Sequence, residues 1–413
     1  MTVADNSTTT TLTVENYNNR KSELPFFARG IFSLLLNAKH GKISITLPDG
    51  HCFHVNSGQS GPSGQVTLHN WKPARKVALA GTIGVAESYI DHDWDSPNVS
   101  ELLRFFLINK EIYQNVADQS AIMNMIGQLR NWINSNTRDG SKRNIAAHYD
   151  LGNEFYREWL DPSMTYSSAI FEDGANSLER AQQDKYKSLA TRMGITKDSH
   201  VLEIGCGWGG FAEYVAKEIG ARITGLTISQ EQLKYARERI EKAGLQDRAE
   251  FRFQDYRDET GKYDHIASIE MFEAVGEKYW PVYFGKIRDC LKPGGTAGLQ
   301  IITIANENFD AYRNRMDFIQ RYIFPGGMLP SPEVLQQVTT AEDLKLVSER
   351  IFPQDYARTL KEWRLQFWSK WDKIKTLGFD ERFKRMWEFY LYYCEAGFSA
   401  EGIDVRQVFY SRK

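Results

Sequence analysis

The segment Val201–Gly210 (VLEIGCGWGG) constrains the fold of this chain more than any other part of the sequence. Its apolar run up to Ile204 is typical of a buried parallel strand, and a glycine-rich turn follows at once. Apolar residues then recur at helical spacing as far as Ile219, and Gly220 follows as a helix-terminating glycine. This order predicts a strand–turn–helix unit of a parallel α/β domain.

The glycines of this turn also suit a bound ligand. Gly205, Gly207 and Gly209 let the backbone turn tightly and approach a ligand closely. The turn lacks the Gly-Lys-Ser/Thr ending of a phosphate-binding loop, and the carboxylate of Glu203 would repel phosphate but attract a cationic or amine-bearing ligand. The pattern therefore favours S-adenosylmethionine (SAM) over a dinucleotide; the alternative is a structural corner without a ligand.

Strands and helices alternate after this unit and predict a doubly wound parallel sheet. The predicted strands are 200–204, 222–226, 249–253, 263–269 and 296–303, and the predicted helices are 210–219, 230–242 and one near 278–290. In such a sheet the ligand binds outside the carboxyl ends of the strands. The residues that follow each strand are therefore the candidate site residues.

Polar groups follow three of these strands. Thr227 and Gln232 come after the second strand, where the ribose of a nucleoside would bind, although the Ser-x-x-Gln spacing that ends at Gln232 is also a helix-capping box. Residues 254–256 (Gln-Asp-Tyr) follow the third strand and offer polar groups and a ring to an adenine. Glu270 and Glu273 follow the fourth strand and share one face of a helical turn.

Composition sets broader limits on the function. A chain of 413 residues with a net charge of −2 predicts two domains and gives no indication of nucleic-acid binding. The four cysteines form no C-x-x-C pair, which is typical of a reduced, cytoplasmic compartment. We expect no metal site, because His51, Cys52 and His54 lie in a predicted strand whose neighbouring side chains point to opposite faces. No signal peptide and no apolar run of roughly 20 residues is recognisable.

Local differences in composition predict how the chain is divided into segments and domains. Residues 1–19 are rich in Thr and Asn and are predicted to be disordered. Residues 20–133 predict a small α+β domain, residues 134–143 a polar linker, and residues 144–413 a second domain. The basic amphipathic segment Lys21–His40 either lies on an anionic membrane surface or packs within its own domain.

Together the motifs resemble the cyclopropane fatty acid synthase family of SAM-dependent methyltransferases. The resemblance covers residues 144–413 and rests on AHYDLGNEFY (147–156), DPSMTYSSAIF (161–171), LEIGCGWGG, GLTISQEQ, FQDYRD, MFEAVG, LKPGG, RYIFPGG (321–327) and the terminal QVFYSRK. Residues 82–95 (TIGVAESYIDHDWD) resemble the lipid-associated amino-terminal domain of these enzymes. The resemblance implies a Rossmann-like class I methyltransferase domain with a helical insertion after the fifth strand, and a homodimer that associates peripherally with the membrane.

The family also implies a reaction. The double bond of an unsaturated phospholipid acyl chain receives the methyl group of SAM, and a bound bicarbonate then removes a proton so that a cyclopropane ring closes. The strand ends and the resemblance together give the candidate cofactor-binding residues: Tyr166, Ser167, Glu203, Gly205, Gly207, Gly209, Thr227, Gln232, Gln254, Asp255 and Tyr256. Glu273 and Tyr322 match family positions that hold the bicarbonate, and Ile302 matches a backbone contact to it.

Two candidate catalytic positions depart from the bacterial pattern. Ser168 replaces a cysteine, and Gln300 replaces a histidine, although plant relatives also carry glutamine there. Because ring closure is decided at the bicarbonate site, a methyl- or methylene-branched (or furan-precursor) chain is the alternative product. A small-molecule N-methyltransferase is disfavoured, because the loop at Glu273-Ala274 lacks the histidine that those enzymes commonly use as a base. A lipid-binding protein with an inactive cofactor site is disfavoured by the intact glycine turn and by Glu273.

Overall fold

The computed structural model describes residues 9–112, 151–172 and 174–412, and they group into two compact units. The first unit comprises the described residues up to 112 together with residues 378–400. The second comprises the described residues from 151 to 377 together with 401–412. A single boundary near residue 144 did not anticipate that a late segment of the chain groups with the first unit. The predicted linker, residues 134–143, lies outside the described residues.

The helices and strands are numbered along the chain. The strands are β1 Thr9–Thr11, β2 Lys42–Thr46, β3 Cys52–Asn56, β4 Ser63–Leu68, β5 Trp94–Asp95, β6 His200–Ile204, β7 Arg222–Thr227, β8 Ala249–Phe253, β9 Tyr263–Ile269, β10 Leu291–Ile304, β11 Leu344–Ile351 and β12 Ile403–Arg412. The α-helices are α1 Val14–Arg20, α2 Phe26–Leu35, α3 Lys72–Ile90, α4 Val99–Ile108, α5 Asn153–Trp159, α6 Leu178–Met193, α7 Gly210–Tyr214, α8 Gln230–Ala243, α9 Trp280–Cys290, α10 Asn306–Arg313, α11 Phe318–Tyr322, α12 Pro332–Ala341, α13 Pro353–Ser369, α14 Trp371–Lys375 and α15 Glu381–Ser399.

The first unit is built on a five-stranded sheet of order β1–β3–β2–β4–β5. Residues 9–20 belong to it, although their polar composition predicted disorder. Thr13 and Asn16 cap α1 reciprocally: each backbone N–H donates to the side chain of the other residue. Leu12 is buried, and β1 pairs in parallel with β3. The prediction of disorder was therefore wrong from Thr9 onward, because a cap and a buried anchor order a segment whose composition is polar.

Helix α15 completes the first unit through a buried arginine. The Nε atom of Arg385 donates to the carbonyl oxygen of Tyr89 at 2.6 Å, and its Nη2 donates to that of Trp94 at 3.0 Å. The third nitrogen, Nη1, pairs with Asp95 at 2.8 Å. One guanidinium thus satisfies two carbonyl groups and a carboxylate near β5, which fixes α15 on the first unit.

The second unit is built on a seven-stranded sheet of order β11–β12–β10–β9–β6–β7–β8. Strands β8, β7, β6, β9 and β10 run parallel, β12 is antiparallel to β10, and β11 is antiparallel to β12. Every strand predicted from the sequence is present, so the doubly wound prediction is confirmed. The insertion after β10 is not wholly helical, because it contributes the edge strand β11.

Apolar clusters cover both faces of this sheet, one beneath α6, α7 and α8 and the other beneath α9 and α12. Coverage on both faces explains why β6 and β7 are buried almost continuously along their lengths. Strand β6 lies between β7 and β9. The chain continues from β6 to β7 and β8 on one side of it, and then crosses to β9 and β10 on the other side. The crevice at the carboxyl ends of these strands is the switch point where α/β proteins bind ligands.

Within the described ranges, no helix has both the length and the apolar character that crossing a bilayer requires.

Candidate active site

The glycine turn after β6 forms the first part of the site. Gly205, Gly207 and Gly209 have φ values of 82°, 50° and 82°. A Cβ atom on Gly205 would lie 2.6 Å from Cγ of Met271, so this glycine is required by packing. A Cβ on Gly207 would meet none of the described atoms within 4 Å. Gly207 therefore faces open space, which leaves room for a ligand beside the turn.

Glu203 supplies a buried carboxylate next to this turn. It is 3 % exposed, and its Oε2 atom has no hydrogen-bond partner among the described residues. Burial raises the pKa of Glu203 well above its usual value, and the charge of Lys185 opposes that rise. Because buried acceptors almost always find a donor, the unpartnered oxygen fits an amine-bearing ligand such as SAM.

The residues after β7 cap the next helix. Ser229 accepts a hydrogen bond from the backbone N–H of Gln232 at 3.3 Å, as the capping spacing predicted. The Gln232 side chain does not complete the box; its Oε1 accepts from the Thr227 hydroxyl at 3.0 Å. Thr227 and Gln232 thus form a fixed polar pair at the carboxyl end of β7, where the ribose was expected.

The residues after β8 are largely engaged with their neighbours. Asp255 binds the guanidinium of Arg257 through both carboxylate oxygens, at 2.8 and 2.6 Å. Gln254 donates to Glu259 at 3.0 Å. The ring of Tyr256 packs edge-on against Tyr283 with centroids 5.3 Å apart.

Tyr166 and Ser167 are adjacent in the chain but have different surroundings, an aromatic cluster for Tyr166 and a buried lysine for Ser167. The ring of Tyr166 lies against those of Tyr156, Trp159 and Trp363, with centroids 5.4, 5.6 and 5.2 Å away. The Ser167 hydroxyl accepts from Nζ of the fully buried Lys185 at 2.7 Å. Burial lowers the pKa of Lys185 to about 7, against the opposing effect of Glu270.

Glu270, immediately after β9, is the centre of a hydrogen-bonded cluster. Its Oε1 accepts from the backbone N–H of Ser168 at 2.8 Å and from Nε2 of Gln300 at 2.7 Å, and its Oε2 accepts from the hydroxyl of Tyr356 at 2.6 Å. The Gln300 amide is oriented in turn, because its Oε1 accepts from Nε2 of Gln407 at 3.2 Å. The backbone of Glu270 has φ of 48°, in a region that side-chain-bearing residues rarely adopt.

Glu273 lies one turn further on and has fewer donors. Its Oε1 accepts from the backbone N–H of Ile302 at 2.7 Å, and its buried Oε2 has no partner among the described residues. Burial, followed by the charge of Glu270, raises the pKa of Glu273 to about 8. Burial also raises the pKa of Glu270, but Tyr356, Gln300 and Ser168 oppose the rise. Hence Glu270 is the better stabilised anion and Glu273 the better proton holder near neutral pH.

The structure brings most of the predicted bicarbonate residues together, but their donors face protein carboxylates. Ser168 and Gln300 donate to Glu270, and Ile302 donates to Glu273. These residues therefore do not present the open donors that a bound bicarbonate would need. Tyr322 ends α11 with its ring 5.4 Å from that of Phe318, and its predicted role stays a prediction.

Sequence reasoning missed three members of this cluster. Tyr356 lies on α13, 86 residues from its partner Glu270. Gln407 comes from β12, and Lys185 from α6. A buried lysine at a helical position was the one available signal, since lysine is almost never fully buried without a functional or structural partner.

Comparison with known proteins agrees with this geometry. Residues 136–408 match the model of the mycolic acid cyclopropane synthetase family. The chain belongs to this family. Tuberculostearic acid methyltransferase UfaA1 of Mycobacterium tuberculosis is 37 % identical over 81 % of this chain and 80 % of its own length. Cyclopropane-fatty-acyl-phospholipid synthase of Escherichia coli is 36 % identical over 89 % of this chain and 95 % of its own length.

Solved structures of mycolic acid cyclopropane synthetase relatives share the fold. The cyclopropane synthase MmaA2 of Mycobacterium tuberculosis has a TM-score of 0.62 and 26 % identity over 66 % of this chain and 98 % of its own. A complex of the mycolic acid cyclopropane synthase CmaA1 with SAH has the same TM-score, identity and coverage. This family member is thus a SAM-dependent methyltransferase with a class I fold, as the sequence predicted.

We expect Gly207→Ala to weaken SAM binding by about tenfold or more, because the added methyl group would occupy the open space beside the turn. Gly244→Ala is the matched control. Gly244 also has positive φ, 67°, and open space at its Cβ, but it ends α8 away from the turn. Calorimetric titration with SAM and thermal unfolding of both variants measure the effect. Equal affinities in the two variants would contradict this placement of the cofactor.

We expect Glu273→Gln to stabilise the protein increasingly as pH rises. Between pH 4.5 and about 8 the unfolded chain ionises Glu273 while the folded chain keeps it protonated, so wild-type stability falls with pH. This group contributes up to about 1.4 kcal/mol per pH unit, and glutamine does not titrate. Urea unfolding across this range measures the difference. The exposed Glu241→Gln is the control; a pH-independent difference for Glu273→Gln would show that this carboxyl titrates normally.

Proposed function

We propose that this methyltransferase adds the methyl carbon of SAM to the double bond of an unsaturated acyl chain carried by a membrane phospholipid. The observation that carries the proposal is the pair Glu270 and Glu273 at the carboxyl end of β9, beside the glycine turn. A reaction that generates a carbocation needs buried negative charge to stabilise it and a base to end it, and these two carboxylates supply both. A cyclopropane chain is the product that the Escherichia coli relative's name suggests.

Different residues of the chain would bind the cofactor, exclude water and stabilise the carbocation. Glu203, the glycine turn and the Thr227–Gln232 pair would hold SAM, which supplies an electrophilic methyl group when bound. Aromatic rings around Tyr166 exclude water and present faces that stabilise a cation. Because Glu273 keeps its proton near neutral pH, the charge that faces the reacting carbon comes mainly from Glu270.

One observation favours a second product. The donors expected to hold bicarbonate already serve Glu270 and Glu273. A base bound at a different position can take a proton from the acyl chain instead of from the added methyl group, which would leave a methyl branch beside a double bond in the chain. The relative named tuberculostearic acid methyltransferase supports this candidate.

Access to phospholipid would come from the first unit. Phe26, the first residue of α2, is 84 % exposed, and the exposed basic residues Arg20 and Lys21 precede it. The opposite face of α2 packs into the unit through buried Phe32 and Leu35. An exposed aromatic ring beside basic side chains is the arrangement with which peripheral helices bind anionic lipid surfaces.

We expect expression of the wild type in a bacterial host to convert unsaturated phospholipid chains into chains heavier by one CH2 group. Mass spectrometry of extracted lipids measures the shift. Ozonolysis separates the products, since the double bond of a methyl-branched alkene is cleaved and a cyclopropane is not. Gly244→Ala should produce the shift and Gly207→Ala should produce little of it at equal expression. Unmodified lipids in cells that contain soluble wild-type protein would overturn the proposed substrate.

We expect Phe26→Glu to weaken binding to anionic phospholipid vesicles by about tenfold, from the loss of about 1.5 kcal/mol of apolar insertion. Val347→Glu is the control, because Val347 is 60 % exposed on β11 of the other unit. Vesicle co-sedimentation at two salt concentrations measures both, and high salt should weaken the wild type as well. Equal losses in the two variants would place the lipid contact elsewhere.

A further inference from the structure

We propose that Glu270 occupies the anion site of this enzyme in place of an external anion, and that its carboxylate accepts the proton released after methyl transfer. The second half of this inference rests on the proposed function, whereas the first half concerns the chain alone.

The hydrogen bonds around Glu270 are those of an anion-binding site that is already filled. A backbone N–H, a side-chain amide and a phenolic hydroxyl converge on one carboxylate at 2.8, 2.7 and 2.6 Å. They come from Ser168, Gln300 and Tyr356, which lie on three separate segments of the chain. Hydrogen bonds to a charged acceptor are the strong ones, so three such donors select an anion over a neutral group. The carboxylate of Glu270 has the shape and charge of the bicarbonate oxygens that these donors would otherwise bind.

The backbone at Glu270 shows that this carboxylate is forced into place. Its φ of 48° is costly for a residue with a branched or long side chain, and glycine would adopt it freely. The backbone N–H of Glu270 donates to the carbonyl oxygen of Gln300 at 2.9 Å, which fixes the strained residue on β10. Strained residues of this kind persist where the surrounding structure holds them, and they concentrate at functional sites.

The neighbouring titratable groups leave Glu270 as the available base. Glu273 holds a proton near neutral pH, and the buried Lys185, on the other side, donates to Ser167. Glu270 and Glu273 follow β9, so their cluster borders the crevice at the carboxyl ends of the strands. A substrate carbon that enters there meets the one carboxylate whose charge is stabilised by three donors.

The step balances without an external base. Methyl transfer forms a carbon–carbon bond to the alkene, the electron pair of the broken carbon–sulfur bond stays on sulfur, and the adjacent acyl carbon becomes positive. Glu270 then takes a proton from carbon and becomes a neutral acid, which later loses that proton to solvent. The electron pair of the broken C–H bond closes the ring if the proton leaves the added methyl group. It forms a double bond if the proton leaves the acyl chain.

The first experiment needs no turnover. [13C]Formate and [13C]bicarbonate are titrated into the full-length, cofactor-free protein and followed by NMR, for the wild type, Glu270→Gly and Glu270→Gln. Glycine removes the carboxylate and relaxes the backbone strain, so Ser168, Gln300 and Tyr356 become open donors. We expect Glu270→Gly to bind both anions at least about tenfold more tightly than the wild type. Glu270→Gln fills the same space without charge and should bind them no better than the wild type. Equal anion binding by the wild type and Glu270→Gly would overturn the anion-site inference.

The second experiment measures methyl transfer to unsaturated phospholipid in bicarbonate-free buffer. Wild-type turnover should persist and should not rise when bicarbonate is added. The rate of Glu270→Gly should be about 100-fold lower than that of the wild type, as for loss of one transition-state electrostatic contact. Formate should raise the Glu270→Gly rate at least about tenfold. Glu270→Gln should lose a similar factor without rescue. A wild type that stops without bicarbonate, or a Glu270→Gly rate that formate does not raise, would overturn the role as base. If the wild type methylates no phospholipid at all, the proposed function fails, and the binding comparison still decides whether Glu270 fills the anion site.

Discussion

The site of this methyltransferase depends on one buried carboxylate and its three donors. Glu270 joins the end of β9 to the loop at Ser168, to β10 through Gln300 and to α13 through Tyr356. These segments have no reason to converge by local preference, and a buried carboxylate that loses a donor becomes unfavourable. The carboxylate therefore acts as a common acceptor that holds four segments together at the candidate site.

The electrostatics of the site follow from how unevenly these donors are distributed. Two carboxylates close together in a desolvated site cannot both ionise easily, so the one with more donors keeps the charge. Among the described residues, three other residues donate to the Glu270 carboxylate, whereas Ile302 is the one that donates to Glu273, so the rise in the pKa of Glu273 is less opposed. The fully buried Lys185 adds an amine whose own pKa is lowered to about 7, so it gains or loses its proton near neutral pH.

The same donor arrangement bears on the family's chemistry. Two relatives with similar overall identity carry different names, tuberculostearic acid methyltransferase and cyclopropane-fatty-acyl-phospholipid synthase. The fold is shared with two solved cyclopropane synthases at 26 % identity. In the proposed reaction, the position and protonation of the groups that meet the carbocation on the acyl chain select the product, because they decide which carbon loses its proton.

The sequence by itself determined the five parallel strands of the second unit, the glycine turn and the capping of α8, because periodicity, glycine placement and short-range polar spacing are local properties. It also placed Ser168, Gln300, Ile302 and Glu273 near one another through family resemblance. Tertiary structure alone decided that Tyr356 meets Glu270, that α15 joins the first unit through Arg385, and that residues 9–20 are ordered. The first two rest on polar contacts between residues far apart in the chain, and the third also needs the pairing of β1 with β3, which no local pattern reveals.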